Sequence, residues 1–400
     1  MEKRIQGFKY KLYPTSEQNT MFMKWSGSCK FIWNWALNQR IEQWERIKEI
    51  PKEEREKSIG KAEQSRELTQ MKKSEELEWL KETNSTSFTY VLEDLDAAFK
   101  SFFRRPEVGF PKFKGRRWKR SFTIQNTSIK VENTRKWKIK KTSKNVHFVT
   151  IPKMDNLKIK LHRPILGTIK SATITLEVDG WYISFTTQRE VPTVVNNGLE
   201  PVGVDRGVVV HSYCSDGTIY ELPDEIKKLE QRIAFLQKKY SRMKKGSQNW
   251  KKAQAKIRKK QTKIARIRSN FNHNVSRELV DNHGMVAIEN LKVKNMTKSA
   301  KGTAEKHGKN VAQKSGLNRS NLRQGWYQLE VMLGYKAEWY GSELRKVPAH
   351  YTSQKCSKCG HTEKANRTKQ DEFKCQQCGH EQNADYNASI NILNAALLGK

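Results

Sequence analysis

The chain has 400 residues, with 77 Lys+Arg against 42 Asp+Glu and a formal net charge of +35. Self-repulsion of that size argues against a free-standing metabolic domain and for a polyanionic partner, nucleic acid before all others. Aromatic residues make up 10% of the chain, too many for a disordered polycation. No run approaches the roughly 18 apolar residues of a spanning helix and the N-terminus has no signal-peptide core, so no membrane partner is expected.

Phe8, Tyr10 and Leu12 alternate with polar neighbours up to Pro14, which predicts a strand at 4–13. Thr15 and Gln18 have the spacing of a capping box, and 17–104 reads as helical. Trp25, Phe31, Ile32, Trp35 and Leu37 supply one candidate buried face, and a further helix at 91–103 places Leu92, Leu95, Phe99, Phe102 and Phe103 on or near one face. The charged stretch 50–73 between them reads as an exposed helix pair or hairpin. Beyond Pro106, short β-rich runs recur at 122–124, 136–139 and 148–151. Alternating runs on either side of Asp179-Gly180 predict a hairpin. Together these predict a small β-barrel that includes the first strand, with the helical segment 15–105 inserted into it.

Residues 192–201 read as a linker. An apolar strand is predicted at 202–210, turned by Ser215-Asp216-Gly217 into a second. From 224 to 270 the chain carries 17 Lys/Arg against three acids, with Leu229, Ile233, Leu236, Ile257, Ile264 and Ile267 at helical spacing. Gly246-Ser247 would break this stretch into a hairpin. A solvated helical pair is the plain alternative to a nucleic-acid-facing surface. A buried strand at 284–288, a polar mobile loop at 297–321, a helix through Trp326, Leu329, Leu333 and Ala337, and a strand at 344–347 follow.

Two patterns carry chemistry. Cys356-Ser357-Lys358-Cys359 and Cys375-Gln376-Gln377-Cys378 stand fifteen residues apart, each continuing into glycine, Gly360 and Gly379. Such knuckles bring four thiolates around one Zn²⁺, a closed site and therefore a structural one. The basic loop 364–374 between them is a candidate nucleic-acid contact. Cys29 and Cys214 are isolated, the usage of a reducing compartment.

The second pattern is three acids at element ends. Asp205 follows Val202-Gly203-Val204, Glu289 follows Met285-Val286-Ala287-Ile288, and Asp385 opens a helix over Ala384–Leu397. Each alone has a plain reading as a turn, loop or ion-pair residue. Together, beside strands where an uncompensated acid is costly, they suit shared divalent metal, Mg²⁺ or Mn²⁺, and a two-metal site cuts phosphodiesters.

Val202-Gly203-Val204-Asp205-Arg206-Gly207, Ile288-Glu289-Asn290-Leu291, Tyr351-Thr352-Ser353-Gln354-Lys355-Cys356 and Asn383-Ala384-Asp385-Tyr386-Asn387 resemble signature blocks of transposon-encoded TnpB proteins. These are relatives of type V CRISPR effectors and of Fanzor. Tyr10-Lys11-Leu12-Tyr13-Pro14, Trp33-Asn34-Trp35-Ala36-Leu37 and Gly109-Phe110-Pro111-Lys112-Phe113-Lys114 are similar to that family's N-terminal blocks, so the resemblance spans nearly the whole chain.

The resemblance implies a multidomain α+β protein. A wedge β-barrel (1–14 and 106–195) would carry an inserted helical recognition lobe (15–105). An RNase H-like, RuvC-type α/β nuclease domain (200–350 and 382–400) would contain a basic helical insertion (224–282) and be interrupted by a zinc ribbon (351–381). The implied activity is Mg-dependent, RNA-guided DNA cleavage. Asp205, Glu289 and Asp385 would be the catalytic, metal-binding triad, and Cys356, Cys359, Cys375 and Cys378 the zinc ligands. The implied partners are a noncoding guide RNA from the transposon end and double-stranded target DNA beside a short duplex motif. Base pairing would read the target while the protein reads shape and motif. A monomer in a prokaryotic cytoplasm, at the nucleoid, is expected.

Lys112, Lys114, Arg116, Arg117, Lys119 and Arg120, interleaved with Phe113 and Trp118, form the densest basic-aromatic patch, suited to phosphates and stacked bases. The plain reading there is an exposed loop. Segment 84–91, with Phe88, and the neighbourhood of Thr123 are where motif readout would lie. The loop 297–321 would act as a lid over the triad. Two other readings compete: a guided DNA-binding regulator that no longer cuts, and a DNA transposase. The presence of all three carboxylates favours the nuclease over the regulator.

Overall fold

The alternation at the N-terminus builds β1 (Glu2–Tyr13), whose Phe8, Tyr10 and Leu12 are buried. The capping box then starts α1 (Ser16–Ile47): the Thr15 hydroxyl accepts from the Gln18 amide and the Gln18 side chain accepts from the Thr15 amide. The computed structural model describes residues 1–125, 138–143, 146–303 and 305–399. It divides into two units, Met1–Val191 and Pro192–Lys400. That boundary opens the stretch read as a linker.

In the first unit α2 (Lys61–Met71) and α3 (Ser85–Arg104) follow α1. Six strands come next: β2 (Ser121–Gln125), β3 (Lys138–Ser143), β4 (Val146–Ile151), β5 (Met154–Lys160), β6 (Thr168–Glu177) and β7 (Gly180–Val191). Residues 136 and 137 of the expected run 136–139 lie outside the described residues. The sheet order is β2-β6-β7-β1-β5-β4-β3, antiparallel throughout. Among the described residues no ladder joins β2 to β3, so the expected barrel is an open half-barrel. Helices and sheet share one core, with Phe22 of α1 edge-on to Trp181 at 5.1 Å and Trp25 edge-on to Phe122 at 5.4 Å.

Three local expectations are corrected here. Stretch 50–73, expected as a helix pair or hairpin, holds one α-helix and a 3-10 turn. Phe31 lies at the surface, against Trp79. Phe88 is in the core and is 1% exposed.

The second unit is a five-stranded sheet in the order β10-β9-β8-β11-β12. Its strands are β8 (Pro201–Asp205), β9 (Ser212–Cys214), β10 (Ile219–Tyr220), β11 (Met285–Glu289) and β12 (Glu343–Val347). The strand expected at 202–210 therefore stops at Asp205 and the chain loops to β9. The helices are α4 (Asp224–Ser241), α5 (Gln248–Asn282), α6 (Val293–Met296), α7 (Val311–Gln324) and α8 (Trp326–Tyr340). A hairpin of β13 (Glu372–Lys374) and β14 (Glu381–Asn383) then leads directly into α9 (Ala384–Leu397). Gly246 takes φ +87° and Ser247 caps α5, so the basic stretch does fold as a hairpin.

The expected loop at 297–321 is in part the helix α7. Its Gln, Lys, Leu and Arg residues are good helix formers, and its scarcity of apolar side chains hid the helical period.

Period two decides which side of the sheet each residue faces. Val202, Val204, Val286 and Ile288 pack with α5 and α8 through Val275, Leu279, Leu329 and Leu333. Met285 and Ala287 face the other way, onto Ile392 and Ala396 of α9. Gly203 faces α9 as well: a Cβ there would lie 2.1 Å from the Ser389 carbonyl oxygen. The helix can press this closely only because residue 203 has no side chain.

Candidate active site

The same parity carries two of the three acids onto the α9 face. Asp205 is two residues beyond Gly203, and Glu289 two beyond Ala287. β8 and β11 are parallel neighbours with Val204 opposite Ile288, so both acids stand at the same, C-terminal edge. Ligands and catalytic groups collect at this edge in α/β sheets. Asp385 arrives in the first turn of α9, where the Asn383 side chain accepts from the amides of Asp385 and Tyr386. Asp385 therefore belongs to the helix stripe, through Ala388 and Ile392, that packs toward the sheet. Its Oδ2 lies 3.8 Å from where a Gly207 Cβ would be, so it reaches the loop that leaves Asp205.

Three carboxylates brought together out of water resist ionisation. Burial, then Glu289, then Asp385 push the Asp205 carboxyl up to about 8. Burial also raises Glu289, opposed by the Thr352 hydrogen bond and by Arg206 and Arg367, and raises Asp385, opposed by Arg367. Two of the three acids have a specific holder. Thr352 Oγ1 donates to Glu289 Oε1 at 2.5 Å, and an Arg367 guanidinium nitrogen lies 3.0 Å from Asp385 Oδ1. Arg206, 4% exposed, donates to the Glu289 carbonyl and lies 3.7 Å from the Glu330 carboxylate.

Sequence reasoning missed Thr352, Arg206 and Arg367 as supports. Arg367 falls in the loop read as a nucleic-acid contact, and nothing in its spacing points to Asp385. Asp216 and Asp281 pair with His283 and Arg277.

The four cysteine sulfurs lie within 4.8 Å of one another, the one such group of metal-ligating side chains among the described residues. The two knuckles repeat the same geometry. Cys356 N donates to the His361 carbonyl at 2.8 Å and Cys375 N to the His380 carbonyl at 2.9 Å, with Gly360 and Gly379 at φ +79° and +66°. A four-thiolate set this close fits a tetrahedral soft ion such as zinc. Buried Asn366 joins the knuckles, donating to the Gln354 carbonyl and accepting from the Gln376 amide. Asn387 of α9 accepts from the Ser357 amide and donates to the Lys355 carbonyl, tying the first knuckle to the helix that carries Asp385.

In the first unit, Lys112, Arg116, Arg117, Lys119 and Arg120 are exposed. Lys114 is not part of that surface. Its ammonium sits 3.9 Å over the Trp33 ring and 4.8 Å over Trp118, and its amide donates to Asn34 Oδ1. Burial depresses its pKa to about 8. It fastens the loop to α1 rather than offering its charge to a phosphate. Phe88 cannot stack on a base from inside the core, and Lys72 lies over its ring. Thr123 is half-buried, its hydroxyl 2.9 Å from that of Thr173 across the β2–β6 pair. A central aromatic residue of a helix has the same pattern whether it packs inward or stacks on a ligand, so sequence could not separate the two for Phe88.

Three family profiles match the chain: a Cas12f1-like TNB domain at residues 326–392, a family described as "Probable transposase" at 184–300, and a "Helix-turn-helix domain" at 1–49. Residues 1–49 here are β1 and the single long helix α1. The chain is 38% identical over 394 residues to "Putative RNA-guided DNA endonuclease InsQ" of Escherichia coli (strain K12), covering 98% of this chain and 92% of that protein. It is 29% identical to "Putative RNA-guided DNA endonuclease" of Streptomyces pristinaespiralis, over 90% of this chain and 82% of that one.

Among solved structures, the Cas12f1–sgRNA–target DNA complex matches with a TM-score of 0.55 at 16% identity, over 95% of this chain and 83% of that chain. The mini-RNA-guided endonuclease CRISPR-Cas phi3 matches at 0.54 and 11%, over 100% and 93%. At these identities the solved structures speak to fold alone. With a relative 38% identical along almost its whole length, and family profiles matching its beginning, middle and end, the chain belongs to the transposon-encoded TnpB family.

Proposed function

We propose that this chain is an RNA-guided DNA endonuclease that cuts with a RuvC-type, RNase H-like site made by Asp205, Glu289 and Asp385. The observation that carries this reading is the convergence of three carboxylates at the shared C-terminal edge of β8 and β11 and the first turn of α9, each held above its ordinary pKa. A bound cation relieves such repulsion, and oxygen ligands select a hard divalent ion, Mg²⁺ or Mn²⁺. When bound, the ions supply activation of a water and neutralisation of phosphate charge. The chain's own residues do the positioning. Thr352 orients Glu289, Arg206 anchors the end of β11, and the Asn383 cap with Arg367 aims Asp385.

On this reading residues 351–381 are a zinc ribbon that closes around Zn²⁺ and delivers the chain to α9. Residues 200–350 and 382–400 form the nuclease domain, with 224–282 as its basic insertion. The half-barrel strands form the wedge and 15–105 the recognition lobe. The partners are a noncoding guide RNA from the transposon end and double-stranded DNA, met by a monomer at the prokaryotic nucleoid. Lys112, Arg116, Arg117, Lys119 and Arg120 are the candidate phosphate contacts of the wedge. Among the described residues no helix is long and apolar enough to cross a membrane. A guided regulator would gain nothing from keeping three mutually repelling acids.

The test is cleavage by protein purified with RNA transcribed from its native flanking DNA. Asp205→Ala is expected to lower cleavage by at least about a thousandfold with guide-RNA affinity unchanged. Cleavage at the normal rate would remove the triad assignment.

A further inference from the structure

The loop that leaves Asp205 is clamped by a residue more than a hundred positions later. Gln324, the last residue of α7, is 1% exposed. Its Nε2 donates to the Val208 carbonyl at 2.7 Å, and its own carbonyl lies 3.1 Å from His211 Nε2. A carbonyl can only accept, so His211 carries its proton on Nε2, and Nδ1 accepts from the Ser212 hydroxyl at 2.9 Å. Burial, which depresses the His211 pKa to about 4, keeps the ring in that neutral form. One side chain and one carbonyl thus grip both ends of the segment 208–211. Within the same loop, Gly207 sits against the Val210 carbonyl and faces Asp385 Oδ2.

The clamp is itself anchored. Arg268 of α5 donates to the Leu322 carbonyl at 2.9 Å, meeting an acceptor that the end of a helix leaves free. Gly325 ends α7 at φ +72°, and its carbonyl accepts from Asn272. Further along α7, Lys314 donates to the Met296 carbonyl, and Asn318 to those of Thr297 and Lys298. These acceptors lie seven to nine residues beyond Glu289. One helix therefore braces the outgoing loops of both strands that carry the acids.

We propose that Gln324 is a positioning residue for the carboxylate site: by holding the Val208 carbonyl it fixes the loop between Asp205 and β9, and with it the separation of Asp205 from Asp385. The inference rests on the triad reading given above. Gln324→Met keeps the length and apolar bulk of the side chain and removes the donor. Gln324→Glu sets a second acceptor against the carbonyl. Gln324 bonds to the loop and to none of the three acids, so the effect must travel through the loop.

The test uses the full chain with its guide RNA. Mn²⁺ binding is followed by calorimetry, and single-turnover cleavage is measured as a function of Mg²⁺. For Gln324→Met the expected result is a fivefold to tenfold weaker Mn²⁺ affinity and a Mg²⁺ midpoint raised by the same factor. Guide-RNA affinity should stay unchanged and the rate at saturating Mg²⁺ should largely recover. Gln324→Glu should be worse on both metal measurements. Lower melting temperature with unmoved metal midpoints would overturn the proposal and leave Gln324 a packing residue, as would no change at all. Asp205→Ala separates the two readings. If it abolishes Mn²⁺ binding while Gln324→Met does not weaken it, only the clamp fails. If Asp205→Ala binds Mn²⁺ normally, the triad fails first.

Discussion

Asp205 holds its proton far above the ordinary carboxyl range because burial and two neighbouring carboxylates both disfavour its charge. Its pKa moves from 3.8 in an unstructured chain to about 8 in the fold, so the folded state binds the proton more tightly. The stability it contributes is full below the lower value and is lost as pH rises through the upper one. Asp205→Asn removes that loss. In chelator, the variant's melting temperature should match the wild type near about pH 4 and exceed it by several degrees near about pH 8 to 9. Scanning calorimetry across that range checks it, and a constant difference would mean that Asp205 ionises normally. Mg²⁺ should raise the melting temperature of the wild type and not of the variant. The acid was legible from its place after an apolar strand. The size of its perturbation was not, because it depends on Glu289 and Asp385, 84 and 180 residues away in sequence.

At the scale of elements, α9 links the cysteine cluster to the carboxylate site. Its cap, Asn383, is the last residue of β14, and that hairpin strand leaves the second cysteine knuckle directly. Asn387 and Asn391 bind the Lys355 and Thr352 backbone ahead of the first knuckle. Asp385 is thus aimed by the cysteine cluster as much as by its own helix. Cys375→Ser should therefore cost melting temperature and also lower cleavage roughly 10–100-fold, the range seen when groups supporting a metal ligand are removed. Extra Mg²⁺ should not restore the rate. A variant that melts early yet cuts normally would mean that α9 stands without the ribbon. The cysteine spacing and the helix start at 384 were readable because both are local patterns. The misreading of 311–321 as loop was local too: α7 is held by polar contacts to backbone carbonyls, which leave no apolar period in the sequence.

For the whole molecule the charge of +35 is distributed, and its densest helical portion is the α4–α5 hairpin. Residues 231–260 carry 12 Lys/Arg and no Asp or Glu. At the base of the hairpin Glu225 is paired with Lys263 and Glu230 with Arg323, so the outer part has no internal counter-charge. Tyr240 stacks on Trp250 at 5.1 Å, which stiffens the hairpin near its turn. Lys244, Lys245, Lys251 and Lys252 are all exposed there. Replacing these four by Gln should flatten the dependence of log guide-RNA affinity on log salt by roughly 0.7–0.9 for each phosphate that is no longer neutralised. Filter binding over a salt series measures this. An unchanged slope would return the hairpin to the plain reading of a solvated helical pair.

Period-two alternation, capping residues, cysteine spacing and net charge act between neighbours or simply add, and the sequence by itself determined them: β1, the start of α1, the knuckles, α9 and a polyanionic partner. Tertiary structure decided what requires two distant segments to meet. It turned the barrel into an open half-barrel, took Phe88 and Lys114 inward, and set Arg367 against Asp385. Gly203 shows the reason at a single residue. In sequence it is one more glycine in an apolar strand. In the fold it is the point where α9 comes so close to the sheet that a methyl group would collide with the Ser389 carbonyl, and that approach brings Asp385 to the strand edge of Asp205 and Glu289. The meeting of segments nearly two hundred residues apart is a property of packing, and no local pattern encodes it.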